Sequence, residues 1–129
     1  MGATPLSLAA IALGATLGAW LRWGLSLWLN ARLDALPLGT LAANLGGGFL
    51  IGIALGVFQD LPGLSPAWRL FAVTGFLGGL TTFSTFSAES IALLQRGNYG
   101  VALLHGGAHL FGSLVFCAAG LIAWRWING

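Results

Sequence analysis

Four long apolar runs constrain this chain more than anything else in it. They are Leu6–Leu29, Leu38–Phe58, Leu70–Leu94 and Gly100–Trp124. A helix needs about 20 apolar residues to cross the hydrocarbon of a bilayer, and each run is long enough. The connections carry the breakers: Asn30 to Asp34 with Pro37, then Gln59, Asp60, Pro62, Gly63 and Pro66, then Gln95 to Asn98. Such loops are too short to fold as domains. The expectation is an all-α membrane protein, a single four-helix transmembrane domain over residues 1–129 with both termini on one side. Trp28, Trp68, Tyr99, Trp124 and Trp126 stand near the run ends, where aromatic rings anchor at the interface. The first run has no basic segment before it and exceeds the apolar core of a secretory signal. It reads as the first spanning helix.

Composition agrees and excludes other classes. Only 6% of the residues are charged, against about 25% in soluble domains. Five arginines and no lysine cannot make the clustered basic face that nucleic acid requires. A single cysteine, Cys117, excludes an intrachain disulfide and reads as a small buried residue. No P-loop, HExxH or GxSxG pattern occurs, so no enzyme class is indicated.

The placement of the arginines says more than their number. Arg69 and Arg125 fall on the side of the termini; Arg32 and Arg96 fall on the other, with Arg22 nearby. Orientation follows Lys/Arg bias between loops, and here there is almost none. On charge alone, dual insertion and a fixed orientation stand level. Four short helices are also too few to enclose a solvated path easily. Both points suggest a homodimer, with antiparallel protomers as one form. Glycine stripes, Gly14-xxx-Gly18 and Gly48-xxx-Gly52-xxx-Gly56, let helix backbones approach closely. Packing alone accounts for them, and the second helix's flat glycine face suits a tight partner, a copy of itself included.

Gly75 to Ser87, GFLGGLTTFSTFS, does not read as an ordinary spanning helix. Glycines and hydroxyls loosen a helix and offer its backbone other hydrogen bonds. In lipid, a loosened backbone survives only when buried in protein or facing a wet cavity. Phe83 and Phe86, three apart within this stretch, share a face; ring edges are electropositive and can favour an anion without a fixed cation. Asn44 is an amide deep in the second helix, and its two N–H donors suit either an interhelical bond or an anion. His105, His109, Ser113 and Cys117 recur every four residues and share one face of the fourth helix, facing either a wet path or another helix's hydroxyls. Glu89 is free to cap, to pair or to line an entrance. Arg22 fits a vestibule mouth or a snorkelled position at the interface.

Gly75–Ser87, Gly39-Thr-Leu-Ala-Ala-Asn44 and Leu21-Arg22-Trp23 resemble the small bacterial fluoride channels, the Fluc or CrcB family. The resemblance covers essentially the whole chain, and the third-helix run is its specific part. It implies a dual-topology antiparallel homodimer in the bacterial inner membrane that passively exports fluoride through two pores. It implies a broken third helix. It also implies that Phe83 and Phe86 form an aromatic box, that Asn44 is a pore-lining amide and that Ser113 belongs to a polar track. Thr82 and Ser84, with Thr85, would lie beside the box. Gly78 and Thr81 would offer backbone carbonyls to a structural Na⁺ on the dimer axis. Arg22 matches the family's arginine in the first helix; His105 and His109 match no fixed family pattern, and His109 is assigned with Arg22 to a vestibule. A small proton-coupled multidrug exporter is the alternative, but it needs a carboxylate in the first helix, which has none. A non-transporting membrane subunit would leave Gly75–Ser87 without a purpose.

Overall fold

A computed structural model describes residues 2–33 and 36–129. The assignment of Asp34 as a loop charge falls outside the described residues. The described residues form helices that cross four times: Pro5–Leu29, Leu38–Asp60, Pro66–Gln95 and Tyr99–Asn128. Each extends its apolar run by one to five residues. The 25-residue first helix is about 37 Å long at 1.5 Å per residue, enough to span with some tilt.

Local chemistry sets the ends. Thr4 and Ser7 cap the first helix reciprocally, each side chain bonded to the other's backbone N–H, which satisfies two orphan donors. Pro37 offers the second helix no capping side chain, so Asn30 does the work from across the loop. Its Oδ1 accepts from the N–H groups of Gly39 at 2.7 Å and Thr40 at 3.3 Å. Gly97, at φ 75°, makes the left-handed turn into the last helix, a conformation that suits glycine. At the other face, Trp124 Nε1 donates to Asp60 Oδ2 at 2.7 Å and Arg125 Nη2 to Gln59 Oε1 at 2.8 Å. These bonds staple the second and fourth helices at their C-termini.

The glycine stripes are consumed within the chain. Gly14 and Gly18 lie directly on the backbone of Phe71 to Leu80, and Gly52 lies on the carbonyl of Cys117. Gly48 and Gly56 meet Ser113 and Trp124. The tight partner of the second helix's glycine face is therefore the fourth helix of the same chain, not a copy of the second. The buried apolar centre is small, with Ala43, Leu77 and Leu80 at its heart and Leu25, Ile51 and Phe76 around it. Most large apolar side chains point outward, as a lipid-solvated protein requires.

The third crossing is the irregular one. Leu70–Leu77 is wound as a π-helix, a wide turn frequent at functional sites. The helix resumes through Leu80, and then Thr81 (ψ 152°) and Thr82 (φ −150°, ψ 119°) are extended. A second arm, Phe83–Gln95, begins again with Thr82 as its N-cap.

Candidate functional site: a polar break facing an open cavity

Two extended residues inside a membrane helix strand backbone groups that lipid cannot satisfy. The chain answers with side chains from three helices. In a continuous helix the N–H of Thr82 would close on the carbonyl of Gly78. Instead it donates to Asn44 Oδ1 at 2.8 Å. The N–H of Thr85 likewise abandons the carbonyl of Thr81 for the Oγ1 of Thr82 at 3.1 Å. Arg22 Nε donates to the carbonyl of Gly79 at 3.0 Å. The two carbonyls that lose their helical donors to these side chains are those of Gly78 and Thr81.

Asn44 is held at both ends. Its Oδ1 must be the atom facing the N–H of Thr82, so its Nδ2 is the donor. That nitrogen donates to the carbonyl of Thr82 at 3.0 Å and to His109 Nδ1 at 3.0 Å. An Nδ1 that accepts leaves the proton of a neutral imidazole on Nε2. His109 Nε2 is buried and has no hydrogen-bond partner in the protein. The break, the amide and the imidazole thus form one chain that ends in an unspent N–H donor.

Aromatic rings continue the line. Phe86 stacks on His105 with centroids 5.0 Å apart and an interplanar angle of 11°, and meets His109 at 4.7 Å. Phe83 lies 5.5 Å from Phe86 at 53° and is 79% exposed. Phe86 is therefore clamped within the protomer, whereas Phe83 projects from it.

These groups face one cavity of about 830 Å³. Asn44, Thr82, Phe83, Phe86, His109 and Ser113 line it, and so do Gly78 and Thr81. Its remaining walls are mostly glycine and aliphatic, and no charged side chain lines it among the described residues. Two expected residues sit elsewhere. Ser84 is exposed beside the break, with its hydroxyl 3.3 Å from Thr82 Oγ1. Arg22 is drawn to the back of the break by Gly79 rather than to a mouth.

A polar group of residues was not placed by the sequence. Glu89, half-buried, accepts from Thr40 Oγ1 at 2.6 Å and from His105 Nε2 at 3.1 Å. His105 Nδ1 meets Ser90 Oγ at 3.1 Å. The spacing held a signal: Phe86 and Glu89 are three apart and share a face, and His105 begins the polar stripe of the facing helix.

The family model described as CrcB-like protein, Camphor Resistance (CrcB), matches residues 9–121. The chain belongs to the CrcB family. Among curated relatives, the fluoride-specific ion channel FluC of Cupriavidus pinatubonensis is 63% identical over 121 residues, covering 94% of this chain and 96% of that protein. The FluC of Cupriavidus taiwanensis is 58% identical with the same coverage, and that of Pseudomonas putida is 56% identical over 95% of this chain and 97% of its own. The match to CrcB spans all four crossings and includes Asn44, both phenylalanines and the break between them and Gly78.

Proposed function

We infer that this chain is a fluoride-selective ion channel that passively releases fluoride from the cytoplasm across a bacterial inner membrane. The observation that carries the reading is a donor-lined cavity at a helix break, in a chain 63% identical to a fluoride-specific ion channel. Fluoride is small and strongly hydrated. A path for it must replace water with N–H, O–H and ring-edge donors, yet hold it weakly enough at several points to let it leave. The His109 Nε2–H, the Ser113 hydroxyl and the edges of Phe83 and Phe86 are such donors, and none carries a fixed charge; Asn44 and Thr82 spend their own N–H and O–H groups within the protein and hold His109 and the break in place. No proton is transferred and no covalent bond forms, so the activity is conduction and not catalysis.

The working unit in this reading is an antiparallel homodimer with two pores. Phe83 supports it: a ring that lines the cavity and is still 79% exposed is enclosed only when a partner covers it. The absence of arginine bias supports insertion in both orientations. The structural Na⁺ of the Fluc resemblance fits the same geometry. The carbonyls of Gly78 and Thr81 have lost their helical donors to Asn44 and Thr82, and Gly78 lies on the protomer's surface. Carbonyl oxygens freed by a broken membrane helix suit Na⁺. A bound Na⁺ would neutralise their dipoles at the dimer centre.

The test is ion efflux from liposomes holding the purified protein. Fluoride should leave rapidly and chloride should be nearly retained; equal efflux of both would refute selectivity. The same vesicles, made with Gly63→Cys in a Cys117→Ala background, should label from both faces. Labelling from one face alone would refute dual insertion.

A further inference from the structure

Arg22 lies within the first crossing, Pro5–Leu29, and does not line the cavity. A charge inside a membrane span is costly and is kept where it pairs with another charge or a backbone carbonyl. Here the partner is a carbonyl: Nε donates to that of Gly79 at 3.0 Å, 57 positions along the chain. Close packing delivers it there. Gly18, on the same face one turn before Arg22, lies on the backbone of Phe76 and Leu80, and Gly79 lies in turn on the backbone of Ala15. With no Cβ between the two backbones, the guanidinium reaches the end of the third crossing's first arm.

The carbonyl it takes is a third one that the break releases. In a continuous helix the N–H of Phe83 would close on Gly79, but Phe83 opens the second arm after two extended residues. Arg22 stands in for that N–H. The neighbouring glycine faces the other way: Gly79 is half-buried against the first helix, whereas Gly78 is exposed and lines the cavity. One carbonyl is thus spent inside the protomer while those of Gly78 and Thr81 stay unspent. Without Arg22, the Gly79 carbonyl would have the N–H of Phe83 to turn to, and closing that turn would draw Gly78 and Thr81 with it.

We propose that Arg22 is a positioning residue for the Na⁺ site: by holding the Gly79 carbonyl from the side of the first helix, it keeps the break open and leaves the carbonyls of Gly78 and Thr81 to the cation. This rests on the Na⁺ reading above. Arg22 does not touch the cation; it acts through Gly79. Two effects of the residue on Na⁺ oppose each other. Its charge repels a nearby cation, while its N–H organises the carbonyls that bind one. The hydrogen bond is the effect that dominates, so removing the donor weakens Na⁺ binding although it also removes a positive charge.

The experiment follows thermal unfolding of the purified, monodisperse protein as Na⁺ replaces N-methylglucamine at constant ionic strength. The readout is the Na⁺ concentration that gives half of the stabilisation. Arg22→Met, which matches the side chain out to Nε but has no donor, should raise that midpoint about tenfold or more, the scale of one buried carbonyl left without a partner. Arg22→Gln places an N–H the same number of bonds from the backbone without the charge, and its midpoint should stay within about threefold of wild type because the hydrogen bond is kept. A lower midpoint in Arg22→Met means that charge repulsion dominates and overturns the proposal. So does an unchanged midpoint with lower stability at every Na⁺ concentration, which leaves Arg22 as a packing bond, and so does Arg22→Gln shifting as far as Arg22→Met. If Arg22→Met is not monodisperse, Arg22→Asn, one methylene too short to reach Gly79, takes its place with the same outcomes. Wild type separates the two readings. If its stability does not respond to Na⁺, the Na⁺ reading has failed; if it responds and the variants do not shift as stated, only the role of Arg22 has.

Discussion

Two glycine-rich regions of this molecule do opposite things. Along Gly48, Gly52 and Gly56 the second helix is regular, and the missing side chains bring the fourth helix against it, backbone to backbone at Gly48 and Gly52 and against the Trp124 side chain at Gly56. At Gly75 to Thr82 the same residue type closes a π-turn and leads into a break. The neighbours decide the outcome. The first stripe is flanked by aliphatic residues that leave the backbone no alternative partner. The second runs into hydroxyls, with Asn44 and Arg22 waiting across the interface to take the groups that the helix gives up. Small residues permit close approach; polar side chains on other helices turn looseness into a site.

The comparison can be broken first at its rigid side. Gly52→Val would force a branched side chain into the carbonyl of Cys117, where backbone rather than a flexible side-chain end must yield. Overpacking costs typically 1–3 kcal/mol and occasionally more, and a rigid backbone neighbour puts this site at the top of that range. The expected outcome is loss of monodisperse protein on size-exclusion chromatography. A well-behaved Gly52→Val protein would mean that the stripe is not tightly packed.

Asn44→Leu attacks the break instead. It strands the N–H of Thr82 and frees His109 Nδ1. Polar contacts between membrane helices average only about 0.6 kcal/mol, so the helices should stay assembled. Thermal unfolding should shift modestly, while fluoride efflux falls about tenfold or more, the scale of a buried donor chain left unpaired. A large loss of stability with efflux per folded molecule intact would make the amide a structural bond. Ser84→Ala should do least. Its hydroxyl is exposed and makes one long contact of 3.3 Å, so efflux should stay within about twofold of wild type, the range of ±0.5 kcal/mol usual for surface changes. A larger drop would place Ser84 in the path in the assembled channel.

The crossings were legible in the sequence because apolar runs of membrane length have few other solutions. The location of the break was legible too, since the composition changes from glycine to hydroxyl at Thr81. The reach of long side chains was not. Arg22 could be read as a charge near an interface, but its contact with the carbonyl of Gly79, 57 positions away, depends on how the first helix rotates against the third. The grouping of Thr40, Glu89 and His105 draws on three helices, and no periodicity within one helix contains it. The glycine face of the second helix was legible as a packing surface, but its partner was not, because a stripe shows that something packs there, not what.

The cavity lined by Phe86, Asn44 and His109 as the anion path is the central claim. It is tested most directly by fluoride efflux from liposomes carrying wild-type protein and Phe86→Ile at matched protein density and matched oligomeric state. Phe86 is held between His105 and His109, so an aliphatic replacement removes the ring edge with little change in volume. The account predicts rapid efflux from wild type and strongly suppressed efflux from Phe86→Ile, with Phe83→Ile behaving alike. Wild-type efflux rates in both variants would contradict it and return the two rings to packing.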